Sequence, residues 1–184
     1  MSISLPRFLQ AVLCGAIAVS ALGSSALALT REQRGAYGAV LQRAGITLDF
    51  KEDCGSTSLV GRYDPADRTL TVCMDVVMTA ADPAALADET IAHETVHAAQ
   101  HCLGRKLGMS GMVPLQLAFT DDADLTSWWI NYVNRNTVGK QRELGLSSAY
   151  NKRGITPTLE REAYALEGEP ELVFKYFRAV CLGE

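Results

Sequence analysis

Positive charge is in short supply in this chain, where 17 lysines and arginines stand against 21 aspartates and glutamates for a formal net charge of −4. That balance argues against a nucleic-acid partner, because phosphate binding needs clustered basic side chains. Beyond the first 28 residues no apolar run approaches the length of a membrane span, so no stable span is expected once such a leader is removed. Internal repeats and low-complexity tracts are missing, which excludes solenoids and disordered arrays. The cysteines show no paired Cys-x-x-Cys spacing, which argues against a cysteine-bound structural zinc. Histidine is sparse too: there are three, and all fall between His93 and His101.

Met1–Ala28 has the marks of a secretory leader. It carries Arg7, no acidic residue, and a mostly apolar stretch from Phe8 to Leu22, followed by the small-x-small pattern Ala26-Leu27-Ala28. Gly15, Ser20 and Gly23 break up the run, which is short for a retained anchor. Cys14 follows the bulky Leu13 and reads as an apolar member of the leader rather than a lipid-attachment site. The expectation is a cleaved signal peptide over residues 1–28, one domain over residues 29–184, and an exported protein, periplasmic or extracellular. Cys54, Cys73, Cys102 and Cys181 remain after the leader. An even number in an exported chain reads as two disulfides, with three connectivities open. Cys54–Cys73 would close across a hairpin, leaving Cys102–Cys181.

The element pattern points to α+β: a mainly helical domain with a small antiparallel sheet or hairpin placed ahead of a central helix. Thr30-x-x-Gln33 has the form of a capping box, so a helix is expected from Arg31 to about Ala44, stopped by Gly45. Ile46–Phe50, Ser58–Tyr63 and Arg68–Met74 are rich in β-formers, and the turn sequence Asp64-Pro65-Ala66-Asp67 joins the last two. Asp82-Pro83 then supplies an N-cap and a first-turn proline. Neither Gly nor Pro recurs until Gly104, and apolar residues on two sides predict a buried helix. A loop over Arg105–Val113 leads to a helix within Asp121–Asn136. Thr156-Pro157 opens another that Gly168 breaks, and Glu169-Pro170 opens a last one ending near Cys181.

The chemistry centres on His93-Glu94-Thr95-Val96-His97 in the buried helix. Residues four apart share a helix face, so both imidazoles reach one zinc ion, while Glu94 stands beside the water to be activated. The pattern assigns His93 and His97 as ligands and Glu94 as the general base that takes the proton from water attacking a polarised carbonyl. A short motif arises by chance, but this one falls inside an independently expected, well-capped helix.

A catalytic zinc needs a third protein ligand. Position 103, where one subclass carries a third histidine, is Leu103. His101 continues the histidine face but lies eight residues from His93, about 12 Å along an unbroken helix, and reads as a residue at the rim or behind the ligands. Leu159, Glu162, Ala163 and Leu166 follow the spacing of an inward face. Glu162 is therefore a carboxylate on an apolar stripe, costly to bury unless it is paired or binds a metal. Glu160 and Glu167 fall off that stripe and read as solvated. Glu162 is the preferred third ligand, with Glu160 and His101 as alternatives.

His93-Glu94-x-x-His97 followed by Glu162-Ala163 on a later helix resembles the gluzincin clan of zinc metallopeptidases, including its minimal members. The resemblance covers the motif helix and one downstream helix. It implies one zinc per chain held by His93, His97 and Glu162, Glu94 as base, a small sheet beside the helix, and a peptide or protein substrate. Tyr164, Tyr150 and Arg161 are candidates for stabilising the oxyanion. Two other readings share the site: a non-catalytic exported zinc-binding or scaffold domain, and a zinc hydrolase of a non-peptide bond. Asp121-Asp122-Ala123-Asp124 lacks a full calcium ligand set and reads as negative charge at a helix N-terminus. Trp128 and Trp129 read as one partly exposed and one buried aromatic. No feature specifies an oligomeric state.

Overall fold

The computed structural model describes residues 31–139 and 157–184. The proposed leader, the Thr30 cap, Tyr150 and most of the segment after Val138 lie outside the described residues.

The first helix, α1 (Arg31–Arg43), ends as its sequence predicts. Gly45 has φ +71°, and its N–H donates to the Gln42 carbonyl at 2.8 Å while Ile46 N–H donates to Leu41 at 3.0 Å. This paired closure uses the left-handed conformation that glycine adopts without cost. Three strands follow, β1 (Thr47–Lys51), β2 (Gly61–Asp64) and β3 (Thr69–Cys73), in the spatial order β1-β3-β2. The β2–β3 hairpin is antiparallel, and Asp64 Oδ1 accepts from Ala66 N–H at 2.9 Å within its turn. The expected hairpin is thus present, and β1 extends it into a mixed sheet by pairing parallel with β3, Thr47 opposite Thr69. The segment between β1 and β2 carries the chain past β3 to the far edge, and the hairpin then returns β3 into the middle. Central β3 is accordingly buried at Leu70, Thr71, Val72 and Cys73.

After a short helix α2 (Met74–Val77) comes α3 (Pro83–Lys106), the spine of the fold. Asp82 caps it by accepting from Ala85 N–H at 3.0 Å, with Pro83 in the first turn. Its 24 residues are buried from Asp88 through Gly104 on several sides, as the double apolar stripe requires. Arg34 of α1 grips Asp88 with both ends of its guanidinium, at 2.6 and 2.9 Å. Gly104 lies so close to the following loop that a Cβ there would stand 2.2 Å from the Gly111 carbonyl.

A 3-10 turn (Leu115–Phe119) precedes α4 (Ala123–Asn136). Asp122 caps α4 by accepting from Leu125 N–H at 3.0 Å, which accounts for part of the aspartate cluster. Trp129 is buried and Trp128 half-buried. The chain closes with α5 (Pro157–Leu166), α6 (Pro170–Phe177) and a π-helical turn (Arg178–Leu182). α3 packs against α5 and α6 and also against β2 and β3. The architecture is α+β, mainly helical with a small mixed sheet. Both expected disulfides form: Cys54–Cys73, and Cys102–Cys181 between α3 and the last turn. Disulfides persist in oxidising compartments. No helix among the described residues is long and apolar enough to cross a membrane.

Candidate metal centre

His93 and His97 sit one turn apart on α3, and α5 brings a carboxylate against both. Glu160 Oε2 lies 3.4 Å from His93 Nε2, and Glu160 Oε1 lies 3.4 Å from His97 Nε2. All three side chains are nearly enclosed, 12 %, 6 % and 10 % exposed for His93, His97 and Glu160. The separation is long for a charge-assisted hydrogen bond, normally about 2.7–2.9 Å. It leaves room for an ion. Ligand atoms about 2.0–2.1 Å from one metal at tetrahedral angles stand about 3.4 Å from each other. Two imidazole nitrogens and a carboxylate oxygen, within 4.8 Å of one another, form a group that could hold a metal ion.

Each ring is turned so that Nε2 faces Glu160 while Nδ1 meets an acceptor behind it. His93 Nδ1 lies 3.0 Å from Glu167 Oε2, and His97 Nδ1 lies 2.8 Å from Gln100 Oε1. Such outer partners fix ring orientation in metal sites. Burial opposes charge on His93, but the facing Glu160 and Glu167 carboxylates, with the nearby Glu94 charge, outweigh it and raise its pKa from 6.5 to about 10. Burial likewise opposes charge on Glu160, and the two histidines overcome it, holding the carboxyl well below its ordinary range.

Glu162, expected as the third ligand, is elsewhere. It points away from the histidines and receives N–H groups from Leu115, Gln116, Gln100 and Trp129 at 2.7–2.9 Å. The correction has a simple geometric cause. Residues two apart on a helix point about 200° apart, and α5 is buried on both faces rather than one. Its second inward face carries Glu160, Tyr164 and, just beyond the helix end, Glu167 at i, i+4 and i+7. All three meet His93, the Tyr164 ring at 4.7 Å between centroids. That periodicity was visible in the sequence and was masked by the more apolar stripe beside it. Gln100, three residues beyond His97, is the neighbour of this group that sequence reasoning missed.

The remaining candidates separate. Glu94 is buried beside His93, and β2 approaches the helix there as closely as a glycine permits. A Cβ on Gly61 would lie 2.4 Å from Thr90 Cγ2, 2.8 Å from the Thr71 carbonyl and 3.5 Å from Glu94 Cγ. His101 stands away from the group, its Nδ1 2.9 Å from the Tyr63 hydroxyl of β2. Arg161 turns toward α4 and donates to Asn134 Oδ1 at 2.6 Å. Among the described residues a second grouping, Cys54, Cys73 and Asp75, has both sulfurs tied in a disulfide. Compared with known proteins, the chain matches no family model, no curated protein and no solved structure.

Proposed function

We propose that this chain is an exported zinc-dependent hydrolase of the gluzincin type that cleaves peptide bonds, with His93, His97 and Glu160 as metal ligands. One observation carries the reading: both Nε2 atoms lie 3.4 Å from one buried carboxylate, with Glu94 between the two histidines on the same helix. Zinc fits a nitrogen-nitrogen-oxygen set that leaves a fourth position open, and there it would supply Lewis-acid activation of a water and of an acyl carbonyl. Glu94, enclosed between α3 and β2, takes the proton from the attacking water and passes it to the leaving amine. Tyr164, whose ring packs against His93, is the candidate donor of a hydrogen bond to the developing oxyanion. Peptide as the substrate class rests on the resemblance of the His-Glu-x-x-His helix and its downstream glutamate to that clan. Export rests on the leader-like N-terminus together with two disulfides.

The test combines metal analysis with hydrolysis of an unfolded protein. The purified protein is expected to hold about one zinc per chain. Glu94→Gln is expected to retain the zinc while losing at least about 100-fold in rate, the range of general-base contributions. Glu160→Ala is expected to lose the zinc. Zinc content indifferent to both His93→Ala and Glu160→Ala would sink the assignment.

A further inference from the structure

Along one hydrogen-bond chain the polarity is forced at every link. Glu162 is 1 % exposed. Its Oε2 accepts from Leu115 N–H at 2.7 Å and Gln100 Nε2 at 2.9 Å, and its Oε1 accepts from Gln116 N–H and Trp129 Nε1, each at 2.9 Å. Backbone amides and the indole N–H can only donate. Both atoms at the tip of residue 162 must therefore be acceptors, a demand that a carboxylate meets and an amide side chain cannot meet in either orientation.

Gln100 is the next link. One end of its amide faces Glu162 and the Leu159 carbonyl, the latter at 3.0 Å. Both are acceptors, so that end is the NH2 group. The other end is then the carbonyl Oε1, 2.8 Å from Nδ1 of His97. An acceptor at that point requires hydrogen on Nδ1. In the neutral ring, the form that binds a metal, the lone pair is then on Nε2, which faces Glu160.

We propose that Glu162 is a positioning residue which, acting through Gln100, holds His97 in the tautomer able to bind a metal through Nε2. The inference rests on reading His93, His97 and Glu160 as a metal group. It explains why a carboxylate is buried on the apolar side of α5 with no cation beside it among the described residues. It also distinguishes the two ligands: His93 is oriented directly by Glu167, and the more enclosed His97 through a neutral amide whose direction is set from the core.

Zinc competition titration, cobalt(II) absorption and thermal denaturation of the full chain test the relay together. Gln100→Met preserves side-chain length and removes the link. The expected result is a zinc affinity about 10- to 100-fold weaker, the usual effect of losing an outer partner, with altered cobalt bands. Val173→Ala truncates a buried α6 side chain that takes no part in the chain of hydrogen bonds. It is expected to lower the melting temperature and leave zinc affinity unchanged. Unchanged affinity in Gln100→Met overturns the relay, as does an equal loss in both variants, which marks a purely structural effect. Nitrogen-15 histidine spectra of the zinc-loaded wild type provide a readout that needs no variant. Slow solvent exchange of the His97 Nδ1–H is expected, and fast exchange overturns the proposal. A wild type that takes up no zinc overturns the metal reading and the relay together, whereas zinc binding indifferent to Gln100 overturns the relay alone.

Discussion

Nδ1 of His93 lies 3.0 Å from the Glu167 carboxylate, just past the end of the helix that presents Glu160 to the other side of the same ring. His93 is thus held between two carboxylates delivered by one segment, one facing each nitrogen. Glu167→Gln keeps an acceptor in place but removes the charge and allows the amide to turn its NH2 toward the ring. Zinc affinity is expected to fall about 10- to 100-fold, with the fold intact by circular dichroism. Competition titration decides it, and an unchanged affinity would show that the charge of Glu167 is irrelevant to the site.

Much of this arrangement was legible in the sequence. Asp82, Pro83 and the absence of breakers before Gly104 marked α3, and Gly45 marked the end of α1, because caps and breakers act locally. The disulfides followed from a hairpin and from elimination. The parallel pairing of β1 was not legible, since strand order depends on where a connecting segment passes and not on its local propensity. The choice between Glu160 and Glu162 failed for a related reason. Hydrophobic periodicity identifies the most apolar face of a helix, but α5 is wedged between α3 and α4 and has two buried faces. The more apolar one faces the four donors around Glu162, and the more polar one faces the histidines.

The charge pattern at the site predicts how metal-free protein responds to pH. His93 has its pKa raised from 6.5 to about 10, so its contribution is fully present below pH 6.5 and lost as the pH rises through about 10. Glu160 has its pKa lowered from 4.5, so its contribution is present above pH 4.5 and lost as the pH falls through its folded value. The pair therefore stabilises the metal-free chain most between pH 4.5 and 6.5, with a decline toward pH 10. Melting temperatures measured in chelator across that range should show the decline in wild type and a flatter profile in Glu160→Gln. Parallel profiles would mean that the pairing is not its cause.

Gly61 controls how closely β2 approaches the helix beside Glu94. An added Cβ would meet Thr90 Cγ2 at 2.4 Å and the Thr71 carbonyl at 2.8 Å. The first neighbour is a methyl group, but the second is backbone of the central strand and cannot step aside. Gly61→Ala is expected to cost about 1–3 kcal/mol, as overpacking does. Combining it with Thr90→Ala should recover only part, because the carbonyl contact remains. Denaturant unfolding of the two variants tests this, and full recovery in the double variant would show that the strand can move.

The two disulfides close loops of very different length, and this sets an order for their loss. Cys102 and Cys181 are 79 residues apart in sequence, whereas Cys54 and Cys73 are 19 apart. In the chain-entropy account, the longer loop constrains the unfolded state more, by about 1 kcal/mol for a fourfold difference in length. The longer bond also joins α3, five residues past His97, to the turn that ends the chain. Replacing Cys102 and Cys181 with alanine is expected to cost roughly 2–4 kcal/mol and to loosen α6 against the histidine helix. The Cys54/Cys73 pair should cost less. Urea unfolding of both double variants under oxidising conditions measures the order directly. A larger loss from the Cys54/Cys73 replacement would place the stabilisation in native-state contacts around β3 rather than in the unfolded chain.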